Sequence, residues 1–137
     1  MQLAILALAA FAAAPVSPQV DVGRANWNAF PELRRSPREL PMAAMVAQVE
    51  TFLRDGRCAL AGQTAHRFDI TIPYLVLVEP DGSPSRVVVA DIGCPVLETY
   101  VGSVVIALAR EGDFRPTGES RARWYGSSFN FNLTTSH

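Results

Sequence analysis

The stretch FDITIPYLVLVEPDGSPSRVVVADIG, residues 68–93, decides the fold. Phe68, Ile70, Ile72, Tyr74, Val76 and Val78 alternate with Asp69, Thr71, Pro73 and Glu79 among the others, which is the period of a strand with one buried face. Pro80-Asp81-Gly82-Ser83-Pro84 then combines the fixed φ of proline with glycine's tolerance of positive φ, so the chain turns back there. Arg86 to Ile92 returns as a β-branched partner, and the two runs form a hairpin.

Working outward, the period changes from 2 to 3.6 at Pro95. Leu97, Tyr100, Val101, Val104, Val105 and Leu108 fall at i, i+3, i+4, i+7, i+8 and i+11, with Glu98, Thr99, Ser103 and Arg110 outside the stripe. The spacing predicts a helix from Pro95 to a stop at Gly112, the alternative being a strand over Val104-Val105-Ile106. Trp124 to Leu133 reads as a closing strand, with a bulge or bend at Gly126-Ser127-Ser128. Upstream, Met42, Met45, Val46, Val49, Phe52 and Leu53 make a second helical stripe, on which Glu50 and Arg54 pair at i, i+4 and which Gly56 ends. The expected class is α+β: a small antiparallel sheet of hairpin and closing strand, packed against two helices.

Residues 15–41 carry five prolines and read as an extended arm before a single domain at 42–137. Trp27, Phe30 and Leu33 break that pattern, and their spacing of three predicts a short turn laid on the domain surface, the alternative being a ligand-binding aromatic box. Arg34, Arg35 and Arg38, among Pro31, Pro37 and Pro41, read as solvated linker rather than a binding patch.

A Pro-Asp-Gly hairpin, then Gly93-Cys94-Pro95-Val96-Leu97-Glu98 opening a helix, then Phe114-Arg115-Pro116 and an aromatic last strand resembles the TonB C-terminal-domain family. The resemblance covers roughly half the chain. It implies a periplasmic setting and a partner that adds as a strand to the domain's sheet, bound more by backbone hydrogen bonds than by particular side chains. On this chain the implied edge is Trp124, Tyr125, Phe129, Asn130, Phe131, Asn132 and Leu133. Pro73, unable to donate to a ladder, marks either a bulge or a point where the first hairpin strand lies at an edge; the resemblance makes that strand central, which requires the bulge.

The chain departs from that family's energy transducers, which carry an uncleaved membrane helix and a long proline-rich spacer. Leu3 to Val16 covers about 21 Å as a helix, against a hydrocarbon core of about 30 Å. It reads as a secretory signal peptide within residues 1–14, cleaved after Ala12 or Ala14, and no cysteine follows it to serve as a lipid anchor. The expectation is an exported periplasmic protein with no stable membrane anchor.

The 137 residues are 49% apolar with a formal net charge of −1, which argues against a nucleic-acid partner. Every basic side chain except the histidines is arginine, so lysine chemistry, whether a Schiff base or a phosphate-loop lysine, is excluded. Two cysteines in an exported chain predict a Cys58–Cys94 disulfide. With only His66 and His137 beside them, they lack metal-ligand spacing, and neither metal nor cofactor is expected.

No Gly-x-Ser-x-Gly, His-Glu-x-x-His, Cys-x-x-Cys or glycine-rich phosphate loop is present. The nearest thing to a base, an orienter and a nucleophile is His66 with Asp69, Ser127 and Ser128, and these read as surface polar residues. Two function classes result. The first is a non-catalytic periplasmic module whose last strand accepts a peptide, a protein or a second copy of itself. The second is a small exported hydrolase or enzyme inhibitor whose active residue is unrecognised.

Overall fold

The computed structural model describes residues 18–21, 27–36 and 39–134. The predicted leader with its cleavage site, Arg38 and His137 lie outside these residues. The elements in chain order are β1 (Pro18–Asp21), α1 (Met42–Arg54), β2 (Arg67–Val78), β3 (Pro84–Ala90), α2 (Pro95–Arg110) and β4 (Arg123–Thr134), with a single 3-10 turn at Trp27–Ala29. The sheet order is β1-β3-β2-β4, with β2 antiparallel to both neighbours and β1 parallel to β3. The α+β class, the hairpin, both helices and the closing strand are those expected from the sequence. The parallel β1 is not, since a segment of four residues carries too little pattern to read as a strand.

The alternation in β2 does what it predicts. Phe68, Ile70, Ile72, Tyr74, Val76 and Val78 are buried under the helices, while Asp69 and Thr71 are exposed on the opposite face. Val87 and Val89 of β3, Phe129 and Phe131 of β4, Met45, Val49 and Phe52 of α1, and Leu97, Val101 and Val105 of α2 complete one core. Tyr74 and Phe129 stack at 5.2 Å and Phe129 and Phe131 at 5.9 Å, so aromatic rings tie β2 to β4. Phe52 meets Tyr100 edge to face at 5.8 Å and joins the helices.

The turn between β2 and β3 closes through Gly82 N–H donating to the Glu79 carbonyl at 2.9 Å, and Asp81 accepts from both the backbone and hydroxyl of Ser83. Those two bonds hold the Asp81 carboxyl below its usual range. Gly82 has φ +95°, and a Cβ there would lie 2.8 Å from the Phe114 carbonyl oxygen. Both the turn and the close crossing of residues 114–116 therefore require glycine.

Pro73 takes the edge placement of its two expected alternatives, and not the bulge required of a central strand. The β2–β4 ladder runs in step from Arg67↔Thr134 to Val78↔Arg123, and the only register shift lies on the β3 side, between Leu77 and Val78. No bulge forms at Pro73 because its nitrogen faces β3 one step past the last pair, Tyr74↔Val89, where there is no ladder bond to lose. The predicted bulge or bend at Gly126-Ser127-Ser128 is absent: all three stay in register with Leu75, Tyr74 and Pro73.

Cys58 and Cys94 form the expected disulfide, with Cα atoms 5.3 Å apart, and it holds the segment after α1 to the start of α2. Glu98, outside the apolar stripe of α2, is nevertheless only 2% exposed. Its carboxylate accepts from the N–H groups of Cys94 at 2.8 Å and Ile92 at 3.0 Å, satisfying donors that the helix start leaves open.

Candidate functional site: the free edge of the sheet

β4 closes one side of the sheet, with β2 as its sole neighbour strand. In an antiparallel ladder each residue turns both its N–H and its C=O to the same side, and successive residues alternate. Gly126 fixes the phase: its N–H donates to the Pro31 carbonyl at 2.9 Å and its C=O accepts from Leu33 N–H at 2.9 Å, both away from β2. Even-numbered residues of β4 thus aim their backbone groups outward and odd-numbered ones pair with β2. Ser128, Asn130, Asn132 and Thr134 form an outward row of donors and acceptors that no other strand covers among the described residues.

The arm pairs with this edge at Gly126. Glu32 forms a parallel bridge with Gly126, and Leu33 is buried at 7% exposure, matching the surface turn expected of Trp27, Phe30 and Leu33. Leu75, on the solvent face of β2, is only 6% exposed beside Gly126 and the arm. Past Leu33 the arm crosses to residues 113–115, through Ser36 N–H to the Asp113 carbonyl at 2.6 Å and Arg115 N–H to the Arg34 carbonyl at 3.2 Å. Arg35 ion-pairs with Asp113 at 2.7 Å, and Asp113 is fully buried. Arg35 is therefore a structural anchor and not the solvated linker residue its proline-rich context suggests, because its partner lies 78 positions away.

Beside the arm, a cleft of about 380 Å³ opens. Trp27, Phe30 and Glu32 wall it on the arm side, and Thr71, Pro73 and Ser128 on the sheet side. A second cleft of about 350 Å³, on the arm's other flank, lies among Arg34, Arg115 and Arg123 over Val78 and Tyr125. Glu32 lines both and makes no ion pair among the described residues, whereas Arg123 pairs with Glu119 at 2.7 Å.

The seven residues assigned from sequence to the edge all lie on β4 but divide by face. Tyr125, Phe129 and Phe131 are buried and their backbone groups pair with β2. Trp124 lies on the solvent face with the Arg86 guanidinium 5.8 Å from its ring centroid. Asn130 and Asn132 are exposed and face outward, Asn130 donating to Asp69 Oδ1 and Thr71 Oγ1 at 2.8 Å each, while Leu133 is half-buried. Sequence reading left Ser128 and Thr134 out of the edge, since their outward phase follows only from the register, and of the arm residues at the cleft it singled out Trp27 and Phe30 but not Glu32.

His66, Asp69, Ser127 and Ser128 are not brought together. His66 precedes the Arg67↔Thr134 pair and Ser127 faces Tyr74, about eight strand steps or about 26 Å apart. Among the described residues there is no cluster of histidine, cysteine and acidic side chains suited to a metal, and no helix long and apolar enough to cross a membrane. No protein-family model, no curated protein and no solved structure matches the chain.

Proposed function

We propose that this protein is a non-catalytic interaction module, exported to the periplasm, that binds an extended peptide or a second copy of itself by strand addition to β4. The observation that carries this reading is the uncovered outward row Ser128, Asn130, Asn132 and Thr134. Edge strands are ordinarily blunted by charge, proline, bulges or brevity. Residues 128–134 of this twelve-residue strand contain no charged residue and no proline, and their register has no bulge. The arm occupies the edge at Gly126, so the free row is bounded at that end as well as open.

The disulfide fits an oxidising compartment, which supports export. The similarity to TonB C-terminal domains supports the same mode of contact, although nothing in the chain's length or composition assigns it a transporter. The alternative of a hydrolase gains no support from the separated polar residues.

Amide hydrogen exchange with and without acetyl-Thr-Val-Thr-Val-Thr-amide tests the reading. The amides of Ser128, Asn130 and Asn132 are expected to exchange fast in the free protein and at least tenfold more slowly with peptide, while those of Phe129 and Phe131, already bonded to β2, barely change. Protection elsewhere, or none at millimolar peptide, overturns it.

A further inference from the structure

We propose that the cleft between the arm and Ser128 takes an arginine or lysine side chain of the added strand, and so selects a basic residue at that position of the partner. The inference rests on the strand-addition reading and names what that edge recognises.

The register places the side chain. If a strand adds antiparallel to β4, the residue bonded to the outward groups of Ser128 lies directly opposite it and projects to the same face of the sheet. That face is the solvent face, where Ser128 forms one wall of the cleft of about 380 Å³. The arm occupies the next outward position at Gly126, so the incoming strand stops there and its last side chain meets Trp27, Phe30 and Glu32.

The chemistry chooses the occupant. Trp27, Phe30 and Tyr74 and the Glu32 carboxylate line the cleft, and no cation does among the described residues. An aliphatic stem lies well against aromatic walls while its cation reaches the carboxylate, the division of labour that long basic side chains make. A purely apolar occupant would cover Glu32 without pairing it, which costs affinity. An acidic occupant would meet a like charge, with Asp69 one further along the same face. The partner's intervening residues point to the helix side, beside Phe129, Phe131 and Leu133, where apolar residues fit. The preferred strand thus alternates apolar and polar residues and ends against the arm with a basic one.

Acetyl-Thr-Val-Thr-Val-Arg-amide places arginine opposite Ser128 in antiparallel addition, and the same peptide with norleucine in that place is the control. Dissociation constants by calorimetry at low salt are expected to favour the arginine peptide about tenfold, the combined worth of an exposed cation–π contact and a solvent-screened ion pair. Glu32→Gln should remove most of that preference by weakening the arginine peptide, while the norleucine peptide binds as well or better because it no longer covers an unpaired charge; Glu32 is exposed, so unchanged thermal unfolding confirms that the variant is folded. Equal affinities for the two peptides, an equal effect of Glu32→Gln on both, or binding of neither overturns the proposal. Asn132→Pro separates the two readings: it should weaken both peptides, whereas an arginine preference that survives it at undiminished affinity keeps the cleft and removes strand addition.

Discussion

The guanidinium Nε of Arg35 lies 2.7 Å from Oδ2 of Asp113, and this ion pair fastens the N-terminal arm to the loop after α2. Asp113 is fully buried, while the Arg35 side chain is 23% exposed. Asp113 Oδ1 and Arg35 Nη2 have no hydrogen-bond partner among the described residues, so the pair is only partly satisfied. Such a pair adds little net stability but is costly to break from one side, because a buried charge is then left alone.

Arg35→Ala is accordingly expected to destabilise the protein by about 2 kcal/mol, below the range of about 3 to 5 kcal/mol for fully buried pairs because Arg35 is partly solvated. Urea unfolding measures this. The double variant Arg35→Leu, Asp113→Leu should be less destabilised than either single change. If the double variant loses the sum of both, the residues are not coupled.

Proline substitutions along β4 read the phase of its backbone. At Asn132 a proline removes an outward N–H that no strand uses, so folding stability should fall by no more than about 1 kcal/mol. At Phe131 it removes an N–H bonded to β2 together with a fully buried ring, at a cost of about 4 kcal/mol or more. Phe131→Pro would therefore abolish partner binding by unfolding the strand, and Asn132→Pro is the discriminating variant. Circular dichroism and urea titration of both check the assignment; equal losses would reverse it.

Reducing the Cys58–Cys94 bond opens a loop spanning a sequence separation of 36 residues, worth about 4 kcal/mol in the chain-entropy account. Intact mass before and after reduction and alkylation should show two sites that react only after reduction. In protein expressed with its own leader, the same spectrum should show loss of the first 12 to 14 residues, the cleavage expected from sequence. A full-length mass in the membrane fraction would instead point to an anchored protein.

Burial pushes the hydroxyls of Tyr74 and Tyr100 up from the ordinary tyrosine value of 10.0, Tyr74 against a smaller opposing effect of its hydrogen bond with Ser127. As pH rises past the unfolded value, the unfolded chain loses these protons while the folded one keeps them. Stability present below about pH 10 should therefore decline above it. With no lysine in the chain, this window is almost free of competing side-chain titrations. Urea midpoints between pH 9 and 11 should fall, and Tyr74→Phe should flatten that fall while lowering stability at pH 7 through loss of the Ser127 bond.

The elements that could be read in advance are those written in near neighbours. Alternation over Phe68–Val78, the Pro-Asp-Gly turn and the stripe of α2 each depend on contacts a few residues apart, so periodicity and turn chemistry carry them. Glu98 was within reach of the same reading, since an acidic residue in the first turn of a helix is an ordinary partner for open N–H groups. Neither the pairing of Arg35 with Asp113 nor the bridge from Glu32 to Gly126 was, because each joins segments about 80 to 94 residues apart and leaves no local period.

By itself the sequence determined the α+β class, the hairpin and its required glycine, both helices and the pairing of the two cysteines, because local backbone preference and the burial of one face suffice for these. Only the tertiary structure decided that Pro73 loses no ladder bond, that the arm seals β4 at Gly126, and that Ser128, Asn130, Asn132 and Thr134 face outward. Those outcomes hang on register and on which strand lies beside which. A slip of one residue would have reversed every outward group of β4 without changing its composition.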